Sequence, residues 1–266
     1  MTGQIRVRIR ASDGRVKRDC LVDNNIVSQV VNGLAAKMRD NTPFPDEYVP
    51  NQMTVVNNLM QTQTPRIQSR AIGSNGKMYF FTITQFPGGQ NNMTLYSIAL
   101  ANNDGATIAF AELIDLYVQF NPSDDIEVAY TINVLPAEIS TSLSSAYFKE
   151  MSAVMVGKNV GGLGVYRADN GRYVVPNRAK LLSSAQNLID SKVFTPKGTG
   201  SFIGTSEGDL EWEKVMEATP YYVQWWSHYS ARPEMLIGTT DLDQDLQDAY
   251  PEGDTIETRF SIELKN

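Results

Sequence analysis

Residues 95–113 read LYSIALANNDGATIAFAEL, two apolar runs joined by Asn102-Asn103-Asp104-Gly105, with Asp104 and Glu112 as the charges. Asn, Asp and Gly tolerate positive φ and bond to their own backbone, so this string predicts a hairpin turn between two strands. The question it raises is whether so apolar a hairpin is plain core or part of a module built into something larger.

The neighbouring segments extend the β reading. Ile126 to Val134 (IEVAYTINV) alternates apolar and polar residues, as a half-buried strand does. Upstream, IQSRAIG and KMYFFTITQF flank the turn Ser74-Asn75-Gly76, and Pro87-Gly88-Gly89 ends that second hairpin. At the N-terminus, residues 5–10 (IRVRIR) alternate strictly, Ser12-Asp13-Gly14 makes a turn, and Val16 to Val22 returns. Asp23 or Asn24 is then expected to cap a helix from about Ile26 to Met38, because Ile26, Val27, Val30, Val31, Leu34 and Met38 follow helical spacing. Gly33 inside it costs about 1 kcal/mol relative to Ala, so a close packing contact is expected there. Residues 40–65 carry four prolines and many Asn, Gln and Thr, which predicts a long loop with at most short strands such as Met53 to Leu59.

Beyond Pro136 the pattern changes. Ser140 to Val156 suits a helix, Gly157 to Gly164 a connection, and Asn170-Gly171 a two-residue hairpin turn. From Asn177, the spacing of Leu181, Leu182, Ala185, Leu188 and Ile189 predicts a second helical stretch. Phe194 to Thr205 is turn-rich, and Tyr221 to Tyr229 is strongly aromatic. Ile256 to Leu264 echoes Ile126 to Val134, each after an acidic turn, which marks a boundary near residue 136. The expected fold class is therefore α+β and β-rich: an antiparallel sheet or sandwich with a few short helices, in two units, 1–136 and 137–266.

Composition narrows function. The chain has 266 residues, net charge −7, and 42% apolar content, the balance of a globular protein. No run approaches the ~20 apolar residues of a membrane helix. The N-terminus lacks the apolar core of a signal peptide, so no export and no membrane partner are expected. Nucleic-acid binding is not expected either, since the one basic cluster is Arg6, Arg8, Arg10, Arg15, Lys17 and Arg18, a pattern suited to one solvated hairpin face. Cys20 and His228 are single copies of their types, which excludes disulfides within the chain, cysteine metal clusters and multi-histidine zinc sites. No metal and no cofactor are expected.

Four motifs bear on chemistry. Asp241, Asp243, Asp245 and Glu252 hold positions 1, 3, 5 and 12 of a calcium loop, but Leu246 stands where Gly makes the sharp turn, so an acidic surface loop is the expectation. Gly161-Gly162-Leu163-Gly164 lacks the Lys-Ser/Thr of a phosphate loop. Glu207 with Asp209, or Glu211 with Glu213, are carboxylate pairs whose separation in space decides any hydrolytic role. The aromatic run Tyr221, Tyr222, Trp225, Trp226, Tyr229 offers apolar side chains on both faces, which suggests burial by core on one side and by a partner on the other. No enzymatic activity is expected. The candidate interface residues are Ile5, Val7 and Ile9, on a strand expected to be an open edge, with Tyr222, Trp225, Trp226 and Tyr229.

A resemblance supplies a function. The helix VSQVVNGLAAKM (27–38), the strands around Arg66 to Arg70 and Phe80 to Ile83, the hairpin 95–109 and the strand 126–134 follow one another as in the N-terminal domain of bacteriophage tail-collar fibre proteins. Ser97-Ile98-Ala99-Leu100 and Asn103-Asp104-Gly105 resemble that family's I-G-L-Y-D-A-D-G-x-L-I-A pattern, with Ala99 in place of its Gly. No repetitive shaft follows. The resemblance implies a structural protein of the virion, made in the bacterial host cytoplasm and placed in the tail, at the baseplate or fibre attachment site. It implies other tail or baseplate proteins as partners, and a homo-oligomer. A receptor-binding tail-tip protein that holds a host surface glycan near Trp225 and Trp226 is the alternative.

Overall fold

The computed structural model describes residues 1–40, 44–73, 76–134, 136–137, 142–156, 176–195, 204–213, 219–228, 234–242 and 255–264. The hairpin β1 (Thr2–Arg10) and β2 (Val16–Ile26) leads into helix α1 (Ser28–Asp40). After a 3-10 turn at Asp46–Tyr48 come β3 (Gln52–Asn57), β4 (Thr62–Gln63), β5 (Ser69–Ile72) and β6 (Met78–Thr84). Then follow β7 (Met93–Ala101), β8 (Thr107–Glu112), β9 (Gln119–Phe120) and β10 (Asp125–Asn133). These ten strands form one sheet in the order β4-β3-β7-β8-β2-β1-β10-β6-β5, with β9 on β7. The pairings are antiparallel throughout.

The sheet curls around an interior filled by apolar side chains of β1, β3, β6, β7, β8 and β10, which face it at strand spacing. Ile5, Val7 and Ile9 of β1 and Ile126, Val128, Tyr130 and Ile132 of β10 all point into that interior. Tyr130 crosses it: its hydroxyl lies 3.0 Å from the Ile98 carbonyl and 3.2 Å from that of Ala109, so β10 is tied to β7 and β8 opposite. Burial pushes the phenol's pKa above its ordinary value and keeps it a neutral donor. On another side, Pro65 to Gln68 bridges the strands: the Pro65 carbonyl accepts from Met53, and Gln68 donates to Phe81.

The opening hairpin forms as its sequence predicts. Asn102 anchors the turn: its side-chain oxygen accepts the N–H of Asp104 at 2.9 Å and of Ala106 at 2.8 Å, and Gly105 takes a φ of 85°. Asn102 is itself buried, and the exposed residues of the turn run from Asn103 to Thr107.

The C-terminal part holds β11 (Pro136–Ala137), β12 (Ser142–Leu143), helix α2 (Ser145–Val156), β13 (Arg178–Ser183) and β14 (Leu188–Val193). It continues with β15 (Gly204–Glu213), β16 (Pro220–Ser227), β17 (Met235–Asp241) and β18 (Thr255–Leu264). They make two further sheets, β11-β18-β15 and β12-β17-β16-β13-β14. Helix α1 packs on β15, and α2 contacts both β5 and β17. One cluster of buried apolar residues runs through both halves of the chain.

Two expectations are corrected. The helix predicted from Asn177 is the hairpin β13–β14: Ala179 and Leu181 are buried at strand spacing and pair with β16 on the other side, while Gln186 makes the turn at a φ of 60°. Leu181 and Leu182 satisfied a helical pattern only because short apolar runs fit both periods. Asp23 and Asn24 do not cap α1, since β2 continues to Ile26, which pairs with Ala109. Gly33 does meet a close contact: a Cβ there would lie 3.2 Å from the Phe44 ring and 3.3 Å from that of Tyr48.

Candidate functional site

The basic residues of β1 and β2 form a neutralised ladder on the outer face of the sheet. Arg6 binds Asp19 at 2.7 Å, Arg8 reaches both Asp19 and Glu127 at 3.3 Å, and Arg10 binds Glu127 at 2.8 Å. Lys17 binds the buried carboxylate of Asp124 at 2.7 Å. The Arg6 hydrogen bond holds the Asp19 carboxyl down to about 2, and Arg10 holds Glu127 below its ordinary value. Glu234, described below, is lowered likewise, chiefly by its bond from Lys180. An unfolded chain therefore takes up protons on these groups that the folded chain still refuses. Their stabilisation is complete above the ordinary carboxylate range of about 4 to 4.5 and is lost as pH falls toward 2. Thermal melts are expected to show Tm falling from pH 5 to pH 2, with a shallower fall in Asp19→Asn. Equal slopes for the two proteins would refute the ladder's contribution.

Ile5, Val7 and Ile9 are not an interface. They are fully buried, and β1 pairs with β2 along one side and β10 along the other, so residues 5–10 lie in the sheet interior. The open edge belongs to the next strand. β2 pairs with β8 only through Asn25 and Ile26, opposite Phe110 and Ala109. Among the described residues, no backbone hydrogen bond joins Val16–Asn24 to the segment that follows β8. That segment instead turns back onto β7, through Leu113 to Tyr96 and Leu95 to Val118. The two lips diverge into a seam. Leu21 on the β2 lip is 60% exposed, and Phe110 and Ile114 on the other are 39% and 48% exposed. Sequence patterning marked both hairpin strands as half-buried and held no signal for which would stay unpaired.

The aromatic strand β16 divides by face. Trp225 is fully buried, with its ring centre 5.2 Å from Phe260 and 5.5 Å from Phe194, and its indole N–H donates to Thr240 at 2.9 Å. It is core, which corrects its assignment to the interface: β16 is flanked by β13 and β17, and through Trp225 its inward face meets Phe260 of β18. Tyr222 and Trp226 occupy the other face and remain partly exposed. The Lys180 ammonium stands 4.3 Å over the Trp226 ring. Tyr229 lies outside the described residues.

Beside Trp226 the fold assembles a group that sequence reading missed. Glu234 binds Arg178 at 2.7 Å, contacts Lys180, and lies 3.0 Å from His228 Nδ1. These residues share no motif because β13, the end of β16 and the start of β17 meet only in the folded sheet. His228 is held by two bonds from its backbone to the Asn177 side chain, its N–H donating to the amide oxygen and its carbonyl accepting from the amide nitrogen, with Glu234 beside its ring.

The remaining motifs fall as follows. Asp209 and Glu211 are exposed on β15, with Asp209 3.8 Å from Arg259. Residues 161–164, and the calcium-like loop beyond Leu242, lie outside the described residues. Among the described residues no group of three or more His, Cys, Asp or Glu is placed to hold a metal ion, and no helix is long and apolar enough to cross a membrane.

No family model matches the chain. No curated protein sequence and no solved structure matches it either.

Proposed function

We propose that this chain is a structural subunit that acts by protein–protein assembly. The observation that carries this is the unpaired edge of β2 beside exposed Leu21, Phe110 and Ile114. Soluble proteins cover or blunt such edges, because unpaired strand N–H and C=O groups invite another chain. A partner strand that adds here gains main-chain hydrogen bonds, with the apolar lips buried alongside.

The place of assembly follows from the resemblance: a virion protein at the baseplate or fibre attachment site of a tailed phage. In this reading the unit 1–136 supplies the seam and 137–266 is a second interaction unit. The element order the resemblance rests on, helix α1, hairpin β7–β8 and strand β10, is consistent with it. The glycan-binding alternative has less support, since Lys180 already covers one face of Trp226.

Immunogold labelling of intact particles is the test. Antibody to this chain is expected at the tail, and Leu21→Lys, a change at an exposed position, is expected to fold but fail to incorporate. Unlabelled particles, or normal incorporation of the variant, would overturn the proposal.

A further inference from the structure

The seam ends in a pocket of about 280 Å³, formed by Lys17 and Arg18 on one lip, Tyr117, Gln119, Phe120 and Asn121 on the other, and Asn92 beside them. That volume is at the small end of ligand sites and suits a single ring.

Three features set the pocket apart from the rest of the surface. Arg18 is the first. Arg6, Arg8, Arg10 and Lys17 all have carboxylate partners, whereas the Arg18 guanidinium makes one long bond, 3.4 Å, to the Leu116 carbonyl. Among the described residues, no acid forms an ion pair with this pocket-lining cation.

The second is backbone conformation. Asn92 and Tyr117 both take left-handed φ values, 62° and 46°, which non-glycine residues adopt rarely and at a cost. For Tyr117 the result is a ring held 80% exposed at the pocket mouth.

The third is preorganisation. Asp124 is buried and fixes Lys17 while accepting the Asn121 N–H at 2.7 Å. The Asn121 side-chain oxygen in turn accepts the Asn92 N–H at 2.9 Å. That bond sets the amide's orientation and leaves its NH₂ donors for a ligand.

We infer that this pocket binds an acidic sugar. The guanidinium takes the carboxylate, a planar pairing that Arg makes better than Lys. The amides of Asn92, Gln119 and Asn121 serve hydroxyl groups, and the Tyr117 ring covers the apolar face of the pyranose. A neutral sugar lacks the partner for Arg18, and a bare carboxylate leaves the ring and amides unused. The inference stands apart from the assembly reading and does not need it.

Titration of the full chain with sodium glucuronate, glucose and sodium acetate, followed by amide NMR shifts at Gln119 and Asn121, tests it. Glucuronate is expected to bind about tenfold or more tighter than either of the others, the ratio one charge-assisted hydrogen bond supplies. Arg18→Gln should erase the preference over glucose. Tyr117→Asn, which keeps a residue tolerant of positive φ, should weaken both sugars and spare acetate. No shift with glucuronate, equal binding of acetate (a bare anion site), or an unchanged Arg18→Gln variant would each overturn the inference. Because particle labelling does not read this pocket, its outcome and that of the assembly proposal are separable.

Discussion

Trp225→Ala is expected to cost about 3–5 kcal/mol of unfolding free energy, the range for deleting a buried aromatic. The residue joins two sheets. It sits on β16, and its ring meets Phe260 of β18 and Phe194, which follows β14. Truncation opens a cavity where the sheets touch and removes the bond that the indole N–H makes to the Thr240 hydroxyl. Trp226→Ala, one residue along, removes a half-exposed ring and its cation–π contact, and should cost only about 1 kcal/mol. Urea unfolding of both variants decides the matter. If Trp225 were an interface residue, its variant would unfold like the wild-type chain and fail only in association.

Gly76→Ala is the second large effect, expected at about 3 kcal/mol or more. Gly76 turns the β5–β6 hairpin at a φ of 76°, and a Cβ there would lie 2.6 Å from both the Cβ and the carbonyl oxygen of Phe148 on α2. The Ser152 hydroxyl, also on α2, donates to the Gly76 carbonyl. The turn is therefore pressed onto the helix that reaches across to β17. Gly14 provides the control: its φ is 86°, but nothing lies within 4 Å of its missing Cβ. Gly14→Ala should show only the left-handed strain of about 1–2 kcal/mol. Equal losses at the two glycines would mean that α2 does not bear on the turn.

The Trp225 and Trp226 pair shows why the candidate site was only partly legible. Alternation correctly placed them on opposite faces of one strand, but a face becomes core or surface only when another sheet covers it. The same holds at the N-terminus. IRVRIR and Val16 to Val22 both read as half-buried strands, and the choice of which edge stayed open depended on where β10 and β8 docked. Asn177 to Ile189 reads as helix because its leucines fit either period, and pairing of β13 with β16 resolves the ambiguity in favour of strand.

Taken by itself, the sequence determined what short-range chemistry can specify. LYSIALANNDGATIAFAEL became the hairpin β7–β8 because Asn102 and Gly105 build their turn from local bonds, and the alternating runs became strands because burial follows a period of two. It also excluded the chemistries that need repeated Cys or His. Tertiary structure alone decided the open seam, the Glu234 cluster and the pocket at Arg18. Each brings together residues from separate strands, Arg178 with Glu234 and Arg18 with Tyr117 and Asn92, and no local pattern records such a meeting. Whether a charge is neutralised depends on which acid arrives opposite it: Asp19 and Glu127 reached the other arginines of the ladder, and left Arg18 facing the pocket.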